Sequence, residues 1–297
     1  MQFFFEVLIG GLLAGVMYSL VALGFVLIFK ASGVFNFAQG AMVFFAALTT
    51  VGFASMGVPF WLAVALALAV MTVLAIATER LVLRPLVNQP QITLFMATIG
   101  LSFFIEGIAQ LVWGANVRAL DLGVTDEPID WLMDRTGMNV SKFDLVASGI
   151  AAGLVAVLAV FFNKTRTGRA LRAVADDHQA ALAVGISLQR IWVIVWTTAG
   201  FVALVTGLLW GARNGVQFAL TFLALKALPV LILGGLDSIA GAIVGGLIVG
   251  ASEKLAEVYL GPHVGGGIES WFPYVLALAF LLVRPEGLFG ERRIDRV

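Results

Sequence analysis

Long apolar runs constrain this chain more than any other feature. Nine stretches of mostly apolar residues, separated by polar or glycine-containing turns, follow one another along its 297 residues. A helix needs about 20 apolar residues to cross the hydrocarbon of a bilayer, where backbone polar groups must be satisfied within the protein. Hydrophobic residues make up 61% of the chain and charged residues 12%, which excludes an ordinary soluble domain. The sequence therefore predicts an all-α, polytopic membrane protein of eight to nine transmembrane helices, forming one transmembrane domain over residues 1–297.

The seventh apolar run is shorter than the others. It contains Lys226 and Pro229 and ends in two glycines, which predicts a broken or re-entrant element.

The first residues of the chain carry Glu6 and no basic cluster, so they do not match a cleaved signal peptide. The predicted spans lie near 7–29, 34–55, 60–78, 92–112, 144–162, 191–210, 222–235, 239–256 and 270–283.

Lysine and arginine are distributed unequally between the two sides that these spans define. Twelve fall on one side and four on the other. The richer side is expected to be cytoplasmic, because basic loops are translocated unfavourably. This orientation places the N-terminus in the periplasm, the C-terminus in the cytoplasm and the acidic loop over 113–144 in the periplasm. On the cytoplasmic side, Arg80, Arg84 and Pro85 are predicted to form a solvated turn.

The longest polar interruption covers residues 163–190, with five basic residues against two acidic ones. Its charge places it in the cytoplasm, and its pattern predicts two short helices. Asp176 or Asp177 can cap the second helix, and Gly185 can end it in a left-handed conformation. Such a segment either lies in the membrane interface or docks to a soluble partner.

A short internal similarity recurs at an offset of 201 residues. Each copy is a glycine-broken turn, a polar residue and then a helix rich in small residues. The similarity predicts two related halves, a plan that many transporters share. The two copies are SGVFNFAQGAMV and LGGLDSIAGAIV.

The sequence lacks the signatures of enzymes, metal sites and nucleic-acid binding proteins. There is no H-E-x-x-H, G-x-S-x-G or G-x-x-x-x-G-K-[ST] motif. Cysteine is absent, and His178 and His263 are predicted on opposite sides of the membrane, so no metal site is expected. The net charge of zero gives no electrostatic footprint for nucleic acid. We therefore expect no enzymatic activity and no cofactor in this chain; any ATP would be bound by another chain.

Polar residues inside the predicted spans are the candidates for a pathway, because burying them in hydrocarbon needs a reason. They can also serve only as helix–helix hydrogen bonds, worth about 1 kcal/mol or less each. The two glycine breaks favour a functional role, since they free backbone amides near a polar residue. The predicted pathway residues are Asn36, Gln39, Thr98, Ser102, Asp237 and Ser238.

Five motifs, found in order along nearly the whole chain, carry a resemblance to a known family. The sequence resembles the permease subunits of branched-chain amino-acid ABC importers, and among them the first of that system's two permeases. It departs from the family's pattern at Gln39, where members often carry His, and at Asp237–Ser238. The motifs are GVFNFAQGAM, RPL…ATIGLS, GRALRAVADD…A…GI, LGGLDSIAGAIVGG and RPEGLFG.

The resemblance implies a transporter assembled from several chains. It implies a second permease subunit in a heterodimer, two cytoplasmic ATPases that bind ATP, and a periplasmic substrate-binding protein. It implies that the family's coupling element corresponds to Arg169–Gly185 and that ATP-driven closure rocks two permease halves in an alternating-access cycle. The residues assigned to ATPase coupling are Arg169, Arg172, Asp176, Asp177, His178 and Gly185.

Three alternatives remain open from the sequence. Related permeases carry urea, short amides or other small organic acids. A stand-alone secondary transporter or channel should show a buried acid or base, for which Asp237 and Glu106 are the candidates. A non-transporting membrane scaffold would have no use for a coupling segment.

Overall fold

The computed structural model describes residues 2–86, 89–176 and 178–290, and most of these residues are helical. Among them, extended pairing is confined to two isolated bridges, Arg118 with Val216 and Pro128 with Ser141. The predicted all-α class is confirmed. The helices are α1 (Gln2–Ser32), α2 (Gln39–Ser55), α3 (Phe60–Thr78), α4 (Gln91–Trp113), α5 (Asp130–Thr136), α6 (Lys142–Lys164), α7 (Arg166–Asp176), α8 (His178–Ala183), α9 (Leu188–Asn214), α10 (Leu223–Gly234), α11 (Ile239–Val264) and α12 (Phe272–Val283).

Six helical segments of the described chain are long and apolar enough to cross a bilayer. They are α1, Phe60–Leu86, α4, α6, α9 and α11. Three shorter apolar helices, Gln39–Ser55, Phe218–Gly234 and Phe272–Val283, accompany them. The eighth predicted span differs most from expectation, since α11 continues to Val264 rather than ending at 256, and in the second span α2 begins only at Gln39 rather than at 34.

The chain divides into two compact units, each assembled from separate segments. The first unit comprises Met1–Ala22, Leu122–Val155 and Leu225–Val297. The second unit comprises Leu23–Asp121 and Ala156–Ala224. Each unit contains helices that qualify as candidate spans.

In the first unit, small residues bring α1 and α11 together. Gly11 and Gly15 on α1 face Gly246 and Gly250 on α11, and each set has the four-residue spacing of a small-residue stripe. A Cβ on Gly11 would lie 2.8 Å from the Cα of Ala251, so a larger side chain cannot be accommodated there. Backbones that approach this closely gain van der Waals contact that lipid cannot supply.

In the second unit, α2 forms the centre. Residues Gln39 to Gly52 are all buried, as expected for a helix that is apolar on every side. Its glycines permit close packing: a Cβ on Gly40 would overlap the carbonyl oxygen of Thr221, and one on Gly52 would overlap the ring of Trp113. The indole of Trp113 also donates to Thr49 Oγ1 at 3.2 Å, which fixes the end of α4 against α2.

Candidate functional site

The break between α1 and α2 holds the predicted pathway residue Asn36 in a hydrogen-bonded loop that leads to Gln39, the first residue of α2. Gly33 turns the chain at a φ of 67°, a value that side chains with a Cβ resist. Asn36 is fully buried, and its Oδ1 accepts a hydrogen bond from the amide of Ala38 at 3.1 Å. The Asn36 side chain therefore stabilises the turn that leads into α2.

Thr98, on α4, ties the same loop to its neighbouring helix. Its hydroxyl donates to the carbonyl of Phe35 at 3.1 Å and accepts from the amide of Phe37 at 3.2 Å. The hydroxyl thus satisfies two backbone groups that the missing helical turn leaves unpaired. This is also the reason why residues 34–38 are not helical: a side chain from another helix replaces the helical hydrogen bonds.

Gln39 differs from both of these residues. It is fully buried, and neither its Nε2 nor its Oε1 has a hydrogen-bond partner among the described residues. The amide packs against Gly24 of α1, where a Cβ would overlap it. Buried amides without partners are rare and costly, and they point to a bound group or to water. Of the predicted pathway residues, Gln39 has the most capacity to bind something else.

The remaining pathway residues lie elsewhere. Ser102 is half-buried one turn along α4 from Thr98, and its Oγ donates to Glu106 Oε1 at 3.3 Å. Asp237 and Ser238 belong to the first unit, at the break before α11. Ser238 caps α11, because its Oγ accepts the amide of Gly241 at 2.9 Å, and Asp237 is half-buried beside it.

An ion pair within the apolar part of the first unit was missed by the sequence reasoning. Lys226 Nζ on α10 donates to Glu253 Oε1 on α11 at 3.0 Å, and the hydroxyl of Tyr18 on α1 donates to the same oxygen at 3.1 Å. The Glu253 side chain is 2% exposed and that of Lys226 is 35% exposed. The expectation that Asp237 and Glu106 are the acids to consider is therefore incomplete. The sequence does contain a signal for this pair, because Lys226 and Glu253 are opposite charges in two consecutive apolar segments.

A second cluster of charges lies where α11 meets the turn before α12. Lys254 Nζ donates to Glu269 Oε2 at 2.9 Å, and both side chains are partly exposed. This hydrogen bond holds the pKa of the Glu269 carboxyl below its usual range. The Glu257 carboxylate accepts the amides of Gly267 and Glu269, both at 3.0 Å. These contacts anchor the turn before α12. Because Lys254 pairs with Glu269, Lys226 is the cation that pairs with Glu253.

The predicted coupling segment forms two short helices, α7 and α8. Arg172 does not extend freely from α7, because its Nη1 donates to the carbonyl of Phe162 at 2.6 Å and closes the end of α6. Thr165 caps α7 by accepting the amide of Gly168 at 3.0 Å. Gly185 has a φ of 83°, and the amide of Ile186 reaches back to the carbonyl of Ala181 at 2.9 Å. The chain leaves α8 in the left-handed conformation that the sequence predicts.

The structure describes the side chains of only some of the polar residues at the tip of this segment. Arg169 is exposed on α7 and available to a partner. Asp177 lies outside the described residues, and the side chains of Asp176 and His178 lie outside the description as well. Their assignment to ATPase coupling stays a prediction.

Comparison with known proteins decides the family. Residues 7–284 match the family model described as branched-chain amino acid transport system / permease component. The chain belongs to this permease family. The match covers both glycine breaks, the ion pair and the predicted coupling segment, and the predicted family resemblance is confirmed.

Named relatives of this permease align over nearly its whole length. It is 28% identical over 310 residues to the high-affinity branched-chain amino acid transport system permease protein LivH of Salmonella typhimurium, covering 99% of this chain and 98% of that protein. It is 27% identical over 309 residues to the corresponding protein BraD of Pseudomonas aeruginosa, with the same coverage. The relatives are transport permeases, which fits the expectation of a protein that is not itself an enzyme.

A solved structure shares the fold of this permease. PsaBC from Streptococcus pneumoniae, in complex with Fab, superposes with a TM-score of 0.50 over 92% of this chain and 89% of that chain. The two sequences are 13% identical, so the likeness concerns the arrangement of helices alone.

Proposed function

We propose that this chain is a permease subunit of an ABC importer that carries branched-chain or other hydrophobic amino acids across the inner membrane. The observation that carries the proposal is the match to a branched-chain amino acid transport permease family over residues 7–284. Full-length relatives named for high-affinity branched-chain amino acid transport support the substrate class.

The site supplies what such a substrate needs. An amino acid is a zwitterion, and crossing the bilayer requires replacing the hydration of its charges with hydrogen bonds or dipoles. The unpaired amide of Gln39 is a donor and an acceptor in a buried position of the second unit. Asn36 and Thr98 support it indirectly, because they hold the backbone that leads into α2.

The proposed orientation follows from the charges and the element order. With the N-terminus in the periplasm, α7 and α8 fall on the cytoplasmic side, where the ATPases would dock. Six long candidate spans together with three short apolar helices would give nine crossings if each short helix crosses, and an odd number would leave the proposed C-terminus in the cytoplasm; a re-entrant seventh segment would give eight. The two glycine breaks, at Gly33 and at Gly235 with a φ of 104°, mark the proposed related halves.

The proposed partners are a second permease, two ATPases and a periplasmic binding protein. Closure of the ATPases would press on α7 and α8 and drive alternating access. The direct experiment is co-purification with candidate ATPases, followed by ATPase measurements in lipid with and without binding protein loaded with leucine. Association and stimulation are expected; failure of every branched-chain amino acid to stimulate an associated complex would move the substrate to urea, short amides or other small organic acids.

A stand-alone secondary transporter is the second candidate, and one observation favours it. The Lys226–Glu253 pair joins a buried acid to a partly exposed base in apolar helices, and ionisable residues in such positions mark the pathways through which ion-coupled transporters bind or move charge. Uptake that follows an ion or proton gradient, without ATP, would select this candidate.

A further inference from the structure

Beyond the end of α3, the chain buries a carboxylate in an unusual turn. The π-helical turn Glu79–Leu83 continues α3 and passes into a 3-10 turn at Arg84–Leu86. Turns of the π type are rare and often lie at functional sites. The residues predicted to form a solvated turn, Arg80, Arg84 and Pro85, are exposed, whereas the neighbouring Glu79 has a side chain that is only 2% exposed.

Glu79 has little to compensate its burial. Among the described residues its charged partner is Arg84, whose Nε lies 3.4 Å from Glu79 Oε1. Charge-assisted hydrogen bonds of this kind are normally about 2.7–2.9 Å long. Burying a carboxylate is costly unless it is closely paired. Glu79 thus has the capacity to bind a further cationic donor.

Glu79 and Arg84 line a cavity of about 330 Å³. Its other walls come from the end of the coupling segment and from the helix that follows it, including Leu182 on α8 and Leu188 and Trp192 on α9. Ligand cavities span about 300–1,000 Å³, so this one fits a small molecule. The walls combine a carboxylate, a guanidinium and apolar side chains within one unit of the fold.

The start of α9 adds a second group that attracts an anion. Ser187 is the N-cap residue of this 27-residue helix, and within the described chain its side chain makes no capping hydrogen bond. The first amides of a helix have no partner in the helix, and its dipole favours negative charge there. Ser187 and Leu188 both line the cavity, so this helix end and Arg84 offer one place for a carboxylate.

We infer that this cavity binds a free α-amino acid with an apolar side chain. Its ammonium group would pair with Glu79, its carboxylate with Arg84 and the start of α9, and its side chain with Leu182 and Leu188. The cavity joins α8 to α9, so an occupant stabilises one position of the coupling segment. This assignment rests on the proposed function and orientation, under which the ligand is the transported amino acid on the cytoplasmic side. Binding of that amino acid in the cavity slows further import.

The test measures binding and feedback in the assembled transporter. Import into proteoliposomes is compared with and without leucine enclosed in the lumen that faces the ATPases, and each variant is reported as the ratio of these two rates. Equilibrium binding of labelled leucine to the purified complex is measured in parallel. We expect luminal leucine to slow wild-type import several-fold. We expect Glu79→Gln to abolish this effect and to weaken one component of binding about tenfold or more, the loss expected for a charged hydrogen bond.

Two further variants keep the inference falsifiable. Leu182→Trp fills the cavity from a side chain that is 54% exposed and should remove the feedback even if Glu79→Gln folds poorly. Arg80→Gln is the matched control, because it removes a cation one turn from Arg84 without touching the cavity. Wild-type import that is insensitive to luminal leucine, with binding unchanged by Glu79→Gln and Leu182→Trp, overturns the inference.

The outcomes separate this inference from the proposed function. If no amino acid is imported, the proposed function fails, but the binding measurement still tests whether the cavity binds an amino acid. Saturable leucine binding that Glu79→Gln and Leu182→Trp both weaken supports the cavity assignment. Leucine binding that neither variant changes overturns the assignment. If import proceeds without feedback and without variant-sensitive binding, the proposed function stands and the cavity assignment falls.

Discussion

At the scale of single residues, the predicted pathway side chains differ in whether they have a hydrogen-bond partner among the described residues. Asn36 and Thr98 use their side chains to satisfy the loop before α2, whereas the Gln39 amide has no partner among the described residues. Replacing a side chain that stabilises the backbone should lower the stability of the protein. Replacing a buried side chain without a partner should not lower it. This difference makes the pathway assignment testable.

Gln39→Met should leave the protein as stable as the wild type or more stable, because it removes a buried amide whose desolvation costs about 1–3 kcal/mol. Transport should be lost if the amide serves the pathway. The measurements are the thermal midpoint of the purified protein and the uptake rate, with Gln110→Met, at an exposed position of α4, as the control. Normal uptake in the Gln39→Met protein would remove this residue from the pathway.

Lys226→Met should destabilise the permease by up to about 3 kcal/mol, because it leaves the Glu253 carboxylate buried without its cation. The double variant Lys226→Met with Glu253→Gln should recover much of that loss. Thermal midpoints of the four members of this cycle measure the coupling. The control is Lys254→Met, whose side chain is 42% exposed in the Lys254–Glu269 pair. A wild-type midpoint for Lys226→Met, or midpoints that add with no coupling in the cycle, would show that the Lys226–Glu253 pair contributes nothing.

At the scale of elements, the sequence predicts those helices and turns that depend on neighbouring residues along the chain. Hydropathy locates the spans, since a bilayer admits few other structures, and Gly185 ends α8 because few residues adopt its φ. Pairings across the fold are harder to predict. The bonds from Thr98 to Phe35 and Phe37, 61 to 63 residues away, depend on how α4 packs, and the burial of Glu79 depends on a π turn that hydropathy does not reveal.

The exit from α8 can be tested without touching the membrane spans. Gly185→Val should strain the left-handed position by about 1–2 kcal/mol and redirect the chain into α9. We expect normal membrane levels and an ATPase rate that no longer responds to loaded binding protein. Gly185→Asn, which tolerates the same conformation, should respond like the wild type. A Val variant with wild-type stimulation would contradict a coupling role for this exit.

At the scale of the whole molecule, orientation is the first claim to check. Single cysteines can be introduced into this cysteine-free chain and labelled in intact cells with a reagent that does not cross the membrane. A cysteine at Asp126 should be labelled and one at Arg169 should not, because the charge asymmetry predicts that the basic segment lies inside. The reverse pattern would invert the topology and remove α7 and α8 from the side where ATPases act.

The central claim is that this chain admits amino acids only as part of an ATP-driven importer. The most direct measurement is leucine uptake into proteoliposomes that contain the two permeases and their ATPases, with ATP enclosed and loaded binding protein outside. Uptake should require ATP, the ATPases and the binding protein together. Equal uptake without ATPases, driven by an ion gradient across the vesicle, would contradict it.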